Sequence, residues 1–278
     1  MYNILAIDVE DWYHPEYVRT KVTNKIDRII YSFNVTLNLI KKFNASATFF
    51  LVGEIAEKHP EIINEIYENG SEVAFHGYYH KPLWDLNPES FSKEIKKFDS
   101  LVYSVIGEKS IGYRAPSYSL NNDTLWALDI LEKENYIYDS SLFPVKTPLY
   151  GVSGAPLTPY NPSSKNILEK DELRKLVEFP ALVFCIFRIR IPAAGGFYLR
   201  SLPVSLFDRA IKQVNMKGFP AIITFHAWEL DNRVPRLKLS PFKSLVTYYN
   251  IGSTKKKIEY FLSKYEFISF KDYICEIA

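Results

Sequence analysis

Val73-Ala-Phe-His-Gly-Tyr-Tyr-His80 is the stretch on which the reading of this chain turns. A short apolar run after Gly70 delivers His76 and His80 four positions apart. If the chain coils after Phe75, that spacing returns both imidazoles to one face. Two neutral imidazoles joined by a carboxylate from elsewhere can hold a divalent metal such as zinc. A solvated helix face shows the same spacing, so the pair has to be weighed with its surroundings. Three further stretches matter: Ile7-Asp8-Val9-Glu10-Asp11-Trp12, Gly112-Tyr-Arg114-Ala-Pro116-Ser117 and Thr224-Phe-His226-Ala-Trp228. Each sets polar residues at the end of an apolar run.

Working outward, apolar runs with strand character alternate with stretches of helical spacing. Strands are predicted at Tyr2 to Asp8, Ala45 to Val52, Val73 to Phe75, Ile111 to Tyr113, Tyr136 to Tyr138, Ala221 to Phe225 and Phe267 to Phe270. Helices are predicted at Lys25 to Phe43, Gly53 to Asn69, Pro88 to Ile106, Asn122 to Glu134, Leu206 to Lys217 and Thr254 to Lys264. This alternation implies a parallel sheet, and seven or eight such units imply a β/α barrel that closes. Asp8, His76, Arg114, Asp139 and His226 all follow the C-terminal end of a predicted strand, the face on which barrels build active sites. Unrelated core polar residues would not be expected to share one end. The rhythm breaks from Phe143 to about 205, where prolines, Gly151, Gly154 and Gly195-Gly196-Phe197-Tyr198 fall. A long irregular segment in a compact domain is usually functional. It is read as an insertion with a short β-hairpin folding over the barrel mouth, within one domain spanning residues 1–278.

Apolar residues at 47% and charged residues at 24% are ordinary for a globular protein. A net charge of +2 with scattered lysines gives no nucleic-acid or anionic-membrane footprint. The 20 tyrosines and 19 phenylalanines suit either a filled core or a sugar-facing surface, and composition does not separate the two. No apolar run approaches the ~20 residues of a membrane helix, and no leader pattern precedes Tyr2. The expectation is a cytoplasmic protein without a transmembrane segment. Cys185 and Cys275 read as small core residues in a reducing compartment.

With the motifs placed, the chain resembles the polysaccharide deacetylase family, the NodB-homology fold of carbohydrate esterase family four. The resemblance runs from about Asn3 through Tyr273, with the motifs in the family's order: Asp8-Val9-Glu10-Asp11, His76-Gly-Tyr-Tyr-His80, Arg114-Ala-Pro116-Ser117-Tyr118 and His226. Asp8-Val-Glu-Asp-Trp12, Tyr138-Asp-Ser-Ser-Leu-Phe-Pro144, Gly195-Gly-Phe-Tyr and His226-Ala-Trp-Glu229 further resemble a branch associated with surface-glycan gene clusters. The resemblance implies a distorted TIM-like barrel of about seven strands and removal of an N-acetyl or other N-acyl group from an amino sugar. It implies Asp8 as base, His226 as the acid that protonates the departing nitrogen, and Arg114 as the residue that aims Asp8. It implies a divalent ion, zinc first, with cobalt, nickel or manganese as alternatives, on His76, His80 and either Glu10 or Asp11. The adjacent-pair alternative makes Glu10 the base and Asp11 the ligand.

A backbone N–H near Tyr118 is expected at the developing oxyanion. Trp12, Pro116, Ser117, Tyr118, Asp139 and Trp228 are the candidate substrate-binding residues, with Asp139 also a candidate partner for His226. The substrate would be a carbohydrate, free or linked to a lipid or nucleotide, and the oligomeric state is left open. Two rivals stand beside this reading: C–N cleavage on a small non-sugar amide, and a glycan-binding barrel that has lost turnover.

Overall fold

The computed structural model describes residues 1–277. Eight strands form one parallel sheet: β1 (Asn3–Val9), β2 (Thr48–Leu51), β3 (Glu72–Phe75), β4 (Gly112–Tyr113), β5 (Tyr138–Asp139), β6 (Val177–Glu178), β9 (Ile222–His226) and β10 (Phe267–Ile268). Two more, β7 (Val183–Ile186) and β8 (Ile189–Pro192), make a separate antiparallel hairpin. The order runs β9-β1-β2-β3-β4-β5-β6, with β10 pairing the first residues of β1. Among the described residues no ladder joins β6 to β9, so the sheet curls into a distorted β/α barrel without hydrogen-bonded closure. The expected closing strand instead pairs with β1, and Phe270 already begins a helix.

Strand alternation sorts the core into two shells. Ile4, Ala6, Phe50, Ala74, Tyr138 and Ile222 point into the barrel, where Phe179 and Phe270 pack with them. Leu5, Ile7, Val9, Phe49, Leu51 and Phe75 point outward against the helices. The inward set continues upward through Asp8, His76 and His226, so the period that buries apolar residues below also aims the polar ones above.

Several local readings change. The helix read over Gly53 to Asn69 is two, Gly53–Lys58 and Glu61–Glu68. Pro60, which has no N–H to donate, stands at the break. Residues after Phe75 do not coil into a helix. Gly77 (φ 72°) and His80 (φ 51°) take left-handed backbone, and this tight turn brings the two rings to 5.0 Å between centroids. A Cβ on Gly77 would sit 3.0 Å from Pro116 Cγ, which leaves that position to glycine on two counts. The irregular segment after Phe143 contributes β6 to the main sheet, and the β7–β8 hairpin packs on the helix Val204–Asn215. The Gln213 amide bonds both backbone groups of Cys185 there. Cys185 is half-buried and Cys275 exposed, so neither is a core residue. Among the described residues no helix is long and apolar enough to cross a membrane.

Candidate active site

Parallel register alone sets the first contacts. Asp8 on β1 lies beside His226 on β9 and Phe50 on β2, and β3 ends one strand further along with His76 next. Asp8 Oδ1 accepts from Arg114 Nη1 at 2.8 Å, which leaves Oδ2 facing His226 Nε2 at 3.7 Å and His76 Nε2 at 3.9 Å. Arg114 is fixed in turn by Nε to Ser140 O and Nη2 to Ser140 Oγ, both 3.0 Å. His76 Nδ1 bonds Arg114 O at 2.8 Å, which fixes Nδ1 as the protonated nitrogen and turns Nε2 inward.

Glu10 is the acid that joins the imidazoles. Its Oε2 lies 2.5 Å from His80 Nε2, its Oε1 accepts from Trp228 Nε1 at 3.0 Å, and His226 Nε2 is 3.7 Å from Oε1. Ligand atoms of Glu10, His76 and His80 all lie within 4.8 Å of one another, and all three residues are buried. Burial pushes the Glu10 carboxyl up, but His80 and His226 outweigh it and hold Glu10 below the usual carboxylate range. Burial takes His76 down to about 4, so it remains a neutral imidazole. Burial also opposes a charged His226, yet Glu10, Glu229 and Asp8 raise it to about 9. Two imidazole nitrogens and a carboxylate oxygen suit a divalent ion such as zinc. The buried Glu10 Oε2, which has no hydrogen-bond partner, supports the same fit.

Asp11 does not join this group. It turns away to accept from the backbone N–H groups of Trp12 (2.7 Å) and Arg28 (2.8 Å), and burial raises it to about 6 against those bonds. Trp12 is likewise buried, donating to Ile26 O at 2.8 Å, and does not line the cleft. Pro116 packs under the Gly77 turn, whereas Ser117 and Tyr118, both at positive φ, do line the cleft. The Tyr118 N–H is taken by Ala115 O at 3.2 Å, so it is not the free oxyanion donor expected. Asp139 lies outside the cleft: Ser141 donates to it, and in register it faces Glu178, another buried acid. Trp228 lines the cleft, with its indole N–H committed to Glu10.

Three residues near the site were given no role from the sequence. His14 is buried 5.4 Å from the His80 ring and bonds Glu54 at 2.8 Å. Glu229 contacts His226, and Arg200 contacts Glu229. The spacing His226-x-x-Glu229 was visible, but nothing in the sequence ties Arg200 to it. Tyr17, Leu149, Tyr150, Phe197, Tyr198 and Val246 give the cleft a largely apolar wall.

A curled parallel β/α sheet with acids and imidazoles gathered at its C-terminal strand ends places this site on the face where β/α barrels build theirs. Residues 32–135 match the polysaccharide deacetylase family, and residues 140–275 match a domain of unknown function, DUF3473. Over the first of these regions the chain is similar to the polysaccharide deacetylase family. The first match contains His76, His80 and Arg114, the second Arg200, His226 and Glu229, and the opening segment with Asp8 and Glu10 precedes both. A peptidoglycan deacetylase-like protein of Gibberella zeae is 34% identical over 111 residues, 40% of this chain and 32% of that one. A peptidoglycan deacetylase of Helicobacter pylori is 28% identical over 184 residues, 66% of this chain and 58% of that one. The chain therefore spans only part of these relatives' length. A crystal structure from Mycobacterium smegmatis, classed with the polysaccharide deacetylases, superposes with a TM-score of 0.63 at 19% identity, covering 99% of this chain and 88% of that one. That likeness concerns the fold.

Proposed function

We propose that this chain is a metal-dependent N-deacetylase acting on an amino sugar of a glycan or glycan precursor. One observation carries the reading: Asp8 on the opening strand and Glu10 just after it meet His76, His80 and His226 within 4 Å contacts at one end of the barrel. Glu10, His76 and His80 would hold the ion, zinc first, with cobalt, nickel or manganese as alternatives. When bound there, it supplies Lewis acidity beside the amide carbonyl and eases deprotonation of water.

The chain's own residues do the rest. Asp8, anchored through Oδ1 by Arg114, accepts the proton of the attacking water on Oδ2. The water oxygen bonds to the carbonyl carbon, the C–N bond breaks, and His226 gives its Nε2 proton to the departing nitrogen. A protonated His226 is available for this at neutral pH. The aromatic wall provides faces against which a sugar ring can stack.

The test is release of acetate from N-acetylated saccharides by metal-loaded protein, abolished by a chelator. No acetate from any saccharide, with ureides or other small amides cleaved instead, would shift the protein to the non-sugar hydrolases. Saccharide binding without turnover would make it a glycan-binding barrel.

A further inference from the structure

We infer that Glu229, braced by Arg200, is the positioning residue that sets the tautomer and aim of His226. The inference rests on the acid role given to His226 above. Glu229 Oε2 accepts from the His226 backbone N–H at 3.1 Å and lies 3.2 Å from its Nδ1. An ionised carboxylate only accepts, so Nδ1 must carry the proton in this contact. The other edge of the ring, Nε2, is thereby directed at Asp8 Oδ2 and Glu10 Oε1, each 3.7 Å away.

The second carboxylate oxygen, Oε1, faces a cation across an ion-pair contact without accepting a hydrogen bond. Arg200 Nε lies 2.7 Å from Glu229 Oε1, and Arg200 itself donates to Gly196 O (3.1 Å), Val246 O (3.0 Å) and Tyr249 O (2.5 Å). Both side chains are almost fully buried. A buried ion pair is a poor device for stability alone, because two charges must leave water. Here it fixes one carboxylate against one imidazole. The Gly195-Gly196 pair, otherwise without a role, fits the same purpose: a Cβ on Gly196 would stand 1.9 Å from Glu229 Oε1. Only glycine admits the carboxylate there. Asp139, the partner expected from sequence, is bound to Ser141 and does not compete.

Glu229→Gln keeps the volume but turns an amide into the gap between Arg200 and the imidazole. Its oxygen goes to the cation, and its NH2 then faces Nδ1, which favours the Nε2–H tautomer. Ring-nitrogen NMR of metal-loaded protein, with His226 assigned by His226→Gln, reads this directly. Expected are a ring shifted from Nδ1–H to Nε2–H above about pH 9, where the parent ring is neutral, unchanged metal stoichiometry, KM within about twofold, and kcat lower by roughly 10²–10⁴-fold, the range of a lost acid–base step. Arg200→Lys, which keeps the charge but not the fork, should lose less kcat than Arg200→Met. Unchanged ring nitrogens and unchanged kcat in Glu229→Gln would overturn the inference. A shifted tautomer with kcat unaffected in both Glu229→Gln and His226→Ala would leave the brace standing and remove the acid role of His226 instead.

Discussion

Replacing Arg114 by methionine isolates the charge at the centre of the site. Arg114 is 1% exposed, pairs with Asp8 at 2.8 Å, bonds Ser140 twice at 3.0 Å and lies 4.2 Å from the Phe50 ring centroid. Methionine fills much of the volume but leaves Asp8, whose side chain is 4% exposed, without its cation. Breaking a buried pair on one side costs roughly 3–5 kcal/mol. At roughly 2–4 °C per kcal/mol for a chain of about this size, Tm should fall by about 6–20 °C. Urea or thermal unfolding in chelator measures this without a contribution from bound ion. Because His76 bonds the Arg114 backbone carbonyl, the substitution should leave metal stoichiometry intact while removing activity. Adding Asp8→Asn removes the stranded charge, so the double variant should recover at least ~2 kcal/mol relative to the sum of the two single losses. A single variant within ~1 kcal/mol of the parent, or strictly additive losses, would refute the view that Asp8 depends on this partner.

Metal titration by calorimetry should separate the two candidate acids: Glu10→Gln and His76→Ala should lose stoichiometric binding with an unchanged circular dichroism spectrum, and Asp11→Asn should retain it. Retained stoichiometric metal in His76→Ala would count against the ligand set. A second expectation concerns pH, at Asp99, far from the cleft. Burial raises this carboxyl from 3.8 to about 6, against a 2.9 Å bond from the Tyr136 hydroxyl. A raised carboxyl stabilises the fold below its unfolded value, and that contribution is lost as pH rises through its folded value. Asp99→Asn keeps the acceptor without the charge, so its Tm relative to the parent should climb between about pH 4 and 6 and then level off. A Tm difference that does not move across this window would count against it.

Much of the barrel was legible because period-two alternation on β1 assigns Leu5 and Ile7 to one face and Ala6 and Asp8 to the other, as the structure has them. The convergence of Asp8, His76, Arg114 and His226 followed from strand ends alone. Errors came where local backbone geometry decides. Asp8 and Glu10 share a side by alternation, but only the turn after β1 shows that Asp11 bends back to cap two backbone N–H groups. His76 and His80 meet through left-handed backbone that their spacing could not distinguish from a helix. Arg200 was invisible because an ion pair across 29 residues leaves no periodic trace.

The placement of β1 has a consequence for biosynthesis. β1 leaves the ribosome long before β9, yet ends up flanked by β2 and by β9, whose partner residues for Asp8 are Phe50 and His226. Its acids thus wait, unmatched on one side, until more than two hundred further residues have been translated. Shorter nascent chains can build β1 to β5 yet carry no complete centre, so the newborn protein should stay inert until β9 emerges.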